Sequence, residues 1–153
     1  MKLLKSAAIS LALLLAACNE SESGPYLEYA GGGFIFNYRN AVAFYGFVAR
    51  PLRTLPEGSV IEAQLEVPGS DKPFVLQEKT RTGQLQYSFK SPEIQGVVKD
   101  HPYKVVMRLI DPAGKELARY EHSFKSDIDQ STMPDKPLVV GPGYQKNPEL
   151  DEN

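Results

Sequence analysis

The sequence predicts an all-β fold: a single antiparallel β-sandwich of seven to eight strands, immunoglobulin-like or similar, followed by a disordered acidic tail. Three observations carry that expectation. Between Tyr26 and Ser126 apolar residues recur at every second position in short runs, the period of a half-buried strand rather than a helix. Turn-forming residues separate the runs at regular intervals, as they do in sandwiches and barrels. The chain also has eight Tyr and seven Phe but no Trp, and aromatic rings suit the pleated surface of a sheet. A small closed barrel fits the same pattern and stands as the alternative.

The runs can be justified in order. Gly31-Gly32-Gly33 leads into Phe34-Ile35-Phe36 and reads as a bulge or turn entering a strand. A phosphate loop would continue to Gly-Lys-Ser/Thr and a helix, which this stretch does not. The segments "GFIFNYR" (33–39) and "VAFYGFVAR" (42–50) are apolar almost throughout, as central strands are. In "SVIEAQLEV" (59–67), Ile61, Ala63, Leu65 and Val67 share one face and Glu62, Gln64 and Glu66 the other. In "QLQYSFKS" (84–91), Leu85, Tyr87 and Phe89 are expected to face inward. In "YKVVMRLID" (103–111), Tyr103, Val105, Met107 and Leu109 alternate with Lys104 and Arg108. Asp111-Pro112-Ala113-Gly114, a turn with Pro at its second position, joins that strand to "KELARYEHSF" (115–124). Pro51, Pro56, Pro68, Pro73, Pro92 and Pro102 are read as lying between runs, where a missing amide costs no ladder bond.

After Ser126 the periodicity stops. Residues 127–153 hold Asp127, Asp129, Asp135, Glu149, Asp151 and Glu152 against Lys136 and Lys146, together with four Pro. The expectation is a Pro-rich, acidic, extended tail in which Leu138-Val139-Val140 alone has apolar surface to pack.

The first seventeen residues are of another kind. Lys2 and Lys5 make a basic start, and Ala7 to Ala17 is apolar apart from Ser10. As a helix those eleven residues would span about 17 Å, well short of a hydrocarbon core of about 30 Å. Basic start, short apolar middle and small residues at the end describe a secretory signal peptide. Its last four residues, Leu15-Ala16-Ala17-Cys18, resemble the bacterial lipobox. In lipoproteins of that kind the Cys thiol becomes a diacylglyceryl thioether, cleavage follows just before it, and the new amino terminus is acylated, commonly with palmitate. The resemblance implies the following organisation: signal peptide 1–17, lipidated tether 18–25, β-sandwich 26–126 and tail 127–153. Cys18 is then the lipid-attachment residue, and two or more acyl chains give a stable anchor where one is marginal. Asn19 lacks the Asp that commonly retains such proteins in the inner membrane of Gram-negative cells. An outer-membrane anchor facing the periplasm is expected. Disulfides are permitted there, but the only cysteine is committed to lipid.

Charge narrows the partners. The chain has 17 Lys and Arg against 19 Asp and Glu; without Lys2 and Lys5 it carries about −4. No concentrated basic face of the kind a phosphate backbone requires is present, so nucleic acid is not an expected partner.

From Gly46 onward the body also has a family likeness. Gly46-Phe47-Val48, the bend Arg50-Pro51-Leu52-Arg53, Leu55-Pro56-Glu57-Gly58 and the strand Val60 to Val67 come first. Pro73, Phe89, Ile94, Tyr103-Lys104-Val105 and Asp111-Pro112-Ala113-Gly114-Lys115-Glu116-Leu117 follow. This order resembles the small β-sandwich lipoproteins related to type III secretion lipoprotein chaperones (pilotins). The strands before Gly46 and the acidic tail fall outside it. The resemblance implies a lipid-anchored sandwich that assists assembly of an envelope complex.

Catalytic chemistry is poorly provided for. The two histidines, His101 before Pro102 and His122 on the last strand, stand in no triad-like pattern, and no G-x-S-x-G elbow is present. Asp127-Ile128-Asp129-Gln130-Ser131 copies the opening of a calcium loop, but Thr132 and Leu138 replace the Gly and Glu that such a loop requires. No metal, cofactor or catalytic residue is assigned. The expected work is protein–protein interaction with an envelope partner. The aromatic strands 33–50 are a candidate surface for strand addition if one of them is an edge. A small-ligand carrier or hydrolase and a structural spacer without a fixed partner are the alternatives.

Overall fold

The computed structural model describes residues 23–151. Leu15, Ala16, Ala17 and Cys18 lie outside the described residues. Seven strands build two antiparallel sheets. They are β1 (Leu27–Asn37), β2 (Val42–Pro51), β3 (Val60–Val67), β4 (Ser70–Lys79), β5 (Tyr87–Lys90), β6 (Tyr103–Ile110) and β7 (Glu116–Phe124). One sheet has the order β1-β2-β5 and the other β4-β3-β6-β7. With β2 and β6 between neighbours on their respective sheets, the order is immunoglobulin-like, the fourth strand lying beside β3 instead of β5. The two sheets are separate layers, so the fold is a sandwich and not a barrel.

The core is the set of alternate residues each sheet turns inward. Ala43, Tyr45, Phe47 and Ala49 of β2 face Ile61, Ala63 and Leu65 of β3 and Tyr103, Val105, Met107 and Leu109 of β6, all of them buried. Aromatic rings fill most of the space. Tyr45 stacks on Phe34 at 4.7 Å, Phe34 meets Tyr103 edge-on at 5.3 Å, and Phe47 contacts Tyr29 at 4.9 Å and Phe89 at 5.2 Å. The Tyr45 hydroxyl donates to the carbonyl of Glu66 and so ties the sheets together. A second tyrosine tie closes one seam. Tyr29 donates to the carbonyl of Tyr120 at 3.1 Å, while the Tyr120 hydroxyl accepts from the amide of Tyr26 at 2.9 Å. Burial raises the phenol pKa of both Tyr29 and Tyr45, so these donors stay protonated through the physiological range. At the start of β6 the hydroxyl of Tyr103 accepts from the amide of Val98 at 2.8 Å, five residues upstream, the tyrosine-corner arrangement of immunoglobulin-like folds.

Several expectations need correction. The strand "GFIFNYR" is part of β1, an edge of its sheet and not a central strand. The three glycines do adjoin a bulge, between Tyr29 and Gly31, but they lie inside β1 and not at its entrance. Leu85 does not face inward: β5 begins at Tyr87 and Leu85 is 81% exposed. The reason is the partner strand. Continuing the register Phe47↔Phe89 and Ala49↔Tyr87 would set Leu85 opposite Pro51, which has no N–H to give. Pro73 falls within β4 rather than between strands, and Pro51 closes β2; β4 is an edge, where an absent amide is tolerated.

The largest correction concerns the segment after Ser126, which folds against the sandwich instead of trailing as a loose tail. Ser126 forms a parallel bridge with Lys99. A 3₁₀ turn, Gln130–Thr132, is capped by Asp129, whose carboxylate accepts from the amide of Ser131. Gln130 is buried: its side chain accepts from the amide of Val97 at 3.0 Å and donates to the carbonyl of Ile94 at 3.1 Å. Met133 joins the core. Further on, the short strands β8 (Val139–Val140) and β9 (Gln145–Lys146) form a hairpin. The amide of Leu138 donates to the carbonyl of Arg39 at 2.7 Å, and Asn147 donates to the carbonyl of Pro137 at 2.8 Å. The segment lacks an apolar period because side-chain amides bonded to backbone, rather than a hydrophobic face, order it.

Gln130→Ala removes several buried hydrogen bonds at once and leaves the amide of Val97 without its partner. Each such loss costs about 1–3 kcal/mol. Chemical denaturation of this variant is expected to show a loss of that order. A chain ending at Ser126 is expected to lose at least as much, where a loose tail predicts no change.

Candidate interaction surface

The two outer faces of the sandwich differ in kind. On the four-stranded sheet the outer face is a ladder of charge. Glu62 on β3 is only 8% exposed, yet it accepts from Gln77 of β4 at 2.9 Å, Gln64 at 3.0 Å and Arg108 of β6 at 2.8 Å. Arg108 bonds Glu116 as well, and Arg119 bridges Glu116 and Glu121 on β7. Burial disfavours the Glu62 carboxylate, but the bonds from Gln77, Gln64 and Arg108 outweigh it and hold the carboxyl below its usual pKa. A face whose polar groups bond one another so fully has little left to offer a partner.

The outer face of the β1-β2-β5 sheet is the opposite. Here the outward residues are Gly31, Gly33 and Ile35 on β1, Phe44, Gly46 and Val48 on β2, and Ser88 and Lys90 on β5. Gly33 lies directly across from Gly46, so the middle of the face carries no side chain. Ile35 and Phe44, paired across the strands, wall one side, and Val48 and Ser88 the other. The result is a depression of about 370 Å³ with apolar walls. Lys90 supplies the cation, its ammonium 3.5 Å over the Phe44 ring. Ile35 is 54% exposed on this face.

Sterics keep the floor bare. A Cβ on Gly46 would stand 2.0 Å from the carbonyl oxygen of Phe89, so no side chain fits beside the neighbouring strand. On the inner surface a Cβ on Gly32 would meet the ring of Phe124 at 2.5 Å. The triple glycine is thus used in two ways: Gly32 admits a core ring, while Gly31 and Gly33 open the outer face.

The chemistry-bearing residues singled out in the sequence fall elsewhere. His101 lies in the β5–β6 loop, 3.5 Å from a Glu66 carboxylate oxygen and edge-on to Tyr103 at 4.6 Å. His122 stacks on Tyr29 at 5.0 Å and meets Phe124 at 4.7 Å. His101 thus pairs with a carboxylate and packs on a ring, while His122 packs between two rings. Asp129 is used as a helix cap, with the Ser131 hydroxyl and amide holding its carboxyl below the usual pKa. Among the described residues no group of three or more His, Cys, Asp or Glu is placed to hold a metal ion, and no helix is long and apolar enough to cross a membrane. The depression between β1 and β2 was only half legible in sequence. The alternation of Phe44, Gly46 and Val48 marks one face of β2, but nothing local fixes Gly33 opposite Gly46; that depends on the bulge between Tyr29 and Gly31.

Fold and surface together define an immunoglobulin-like sandwich with one apolar, glycine-floored outer face. No protein-family model, no curated protein and no solved structure matches the chain.

Two measurements check this description. Gly46→Ala forces β2 and β5 apart and is expected to cost about 1–3 kcal/mol of stability, the range for overpacking, readable from its denaturation midpoint. For Glu62, whose pKa is lower folded than unfolded, the stabilisation is present above about pH 4.3, the unfolded value, and fades as pH falls through the folded value. Glu62→Gln is therefore expected to lose less stability than the parent between pH 6 and pH 3, although it starts lower at neutral pH.

Proposed function

We propose that the protein is a non-enzymatic, lipid-anchored component of the bacterial envelope that works by binding another protein, as a chaperone or accessory subunit. The membrane connection is the lipid on Cys18, most simply in the outer membrane facing the periplasm. The observation that carries the binding role is the contrast between the two outer faces. One is closed by its own ion pairs, while the other leaves Ile35, Phe44 and Val48 around a bare floor with Lys90 at its rim. Such a depression accepts an apolar side chain of a partner, and Lys90 favours a carboxylate beside it. The likeness of Gly46 to Leu117 to pilotin-related lipoproteins is consistent with this reading. His122 is taken up by ring packing and His101 by Glu66 and Tyr103, which lends a catalytic reading no support.

In intact cells, a photo-cross-linking residue at Ile35 is expected to give a discrete protein adduct that disappears when Val48→Asp is added. The same residue at Val75, exposed on the four-stranded sheet, is expected to give none. Equal adducts at both positions, or adducts indifferent to Val48→Asp, sink the binding face. Cys18→Ser is expected to abolish incorporation of labelled fatty acid and to release the protein from membranes; unchanged retention sinks the anchor.

A further inference from the structure

The antiparallel register sorts every loop to one of two ends. At one end β1, β3, β5 and β7 begin and β2, β4 and β6 finish, so this end gathers residues 23–26, 52–59, 80–86 and 111–115. The other end gathers 38–41, 68–69, 91–102 and the acidic segment after Phe124. The chain therefore enters the sandwich at the first end.

That entry end has an unusual surface. Leu85 is 81% exposed and Leu52 46%. Neither leucine sits on a loose loop. The amide of Leu52 donates to the carbonyl of Tyr26 at 2.9 Å, and Arg53 lies 3.5 Å over the Tyr26 ring. The turn before Leu85 is closed by the amide of Gln84 on the carbonyl of Arg81 at 3.2 Å, and the Arg81 amide is held by the Tyr87 hydroxyl at 3.0 Å. Pro51, Arg53 and Arg81 to Gln84 line one shared depression of about 430 Å³. The loops of this end carry Arg53, Arg81 and Lys115 against Glu57 and Asp111, and Glu20 and Glu22 precede it in sequence.

We propose that this end is a bilayer-facing surface, seated on an anionic phospholipid leaflet with Leu52 and Leu85 inserted at the headgroup boundary. The inference rests on the lipid anchor at Cys18. From Cys18 to Ser23 the chain can extend at most about 18 Å. Strands of eight to eleven residues make the sandwich about 30 Å long. The entry end is therefore the one a lipidated chain holds against its membrane. Arg81 and its neighbours match an anionic surface, and paired apolar and cationic side chains are what interfacial binding uses. The far end also exposes apolar residues, Val98 and Tyr144 among them. Its acids, Asp127, Asp129 and Asp135 among them, outnumber its bases, although Glu149 and Asp151 are paired with Lys136 and Lys146, and it is beyond the tether's reach.

Because the chain has one cysteine, which lipid would block, a single introduced thiol can be labelled in the lipidated protein. Full-length protein carrying Leu52→Cys, Leu85→Cys, Val98→Cys or Tyr144→Cys, each bearing an environment-sensitive dye, is reconstituted in vesicles of phosphatidylethanolamine and phosphatidylglycerol. The expected result is blue-shifted emission and quenching by bromolipid at positions 52 and 85, with neither at 98 and 144. Arg81→Glu is expected to reduce the response at position 85, and high salt to reduce it likewise. Flotation with the vesicles reads the anchor separately. Protein that floats but responds equally at both ends, or not at position 85, overturns the seated end and leaves the anchor standing. Protein that does not float overturns both. A position 85 that is silent to lipid but photo-cross-links to an envelope protein in cells overturns the bilayer assignment in favour of a protein contact.

Discussion

The structure depends on one constraint: two sheets must be held face to face by buried aromatic rings, since the chain has a single cysteine and so no disulfide within it. Tyr45 is the centre of that arrangement. Its ring stacks on Phe34, its hydroxyl reaches the carbonyl of Glu66 on the other sheet, and its amide is bonded by the Ser91 hydroxyl at 3.1 Å. Rings of this size on three strands force the backbone nearby to give way. Phe124 takes the space a side chain at position 32 would need, and β5 approaches β2 so closely that position 46 admits only glycine. Of the outer floor, position 46 is thus fixed by the close approach of β5, while Gly33 opposite it stands in open space with a positive φ that favours glycine.

The same face-to-face packing also explains which parts of the fold are legible in sequence. Ile61, Ala63 and Leu65, and Tyr103, Val105, Met107 and Leu109, announce themselves by period two because each strand has one core face and one solvent face. The same logic misplaces Leu85. It obeys the period of Tyr87 and Phe89 but lies beyond the point where β2, ending in Pro51, can pair. Position in a ladder depends on the partner strand, and the partner is not encoded locally. The edge status of β1 is hidden for a similar reason: Phe34 and Ile35 are both apolar because one is core and the other walls the depression, not because both faces are covered by protein. The segment after Ser126 is hidden differently. Gln130 and Asn147 bond backbone carbonyls far along the chain, and an amide side chain reads in sequence as a polar, loop-like residue whether or not it is buried.

Edges and outer faces are managed separately. β4 carries Asp71, Lys72 and Pro73 on its exposed stretch, which discourages edge-to-edge pairing. At the seam with β7, β1 is held by the reciprocal tyrosines Tyr29 and Tyr120 and broken by its bulge. Strand addition at β1 is thereby disfavoured along its first half. The apolar depression on the adjoining outer face offers side-chain contact without demanding a backbone ladder, which is why the proposed binding role is placed on the face and not on the edge.

The folded state of the acidic segment matters to this organisation beyond its own stability. A loose chain of 27 residues has a typical end-to-end reach of about 30 Å, enough to sweep its carboxylates along the whole sandwich and past the entry end. Docked by Gln130, Met133, Leu138 and Asn147, those carboxylates are instead fixed at the far end. Fixed there, Asp127, Asp129 and Asp135 stay away from the loops that carry Arg53, Arg81 and Lys115. Electrostatic orientation at a charged surface needs a fixed asymmetry of this kind, because the chain's net charge of −2 on its own would only repel an anionic leaflet. On the proposal that the entry end seats on a bilayer, the same docking bonds that stabilise the segment also keep its carboxylates off the leaflet.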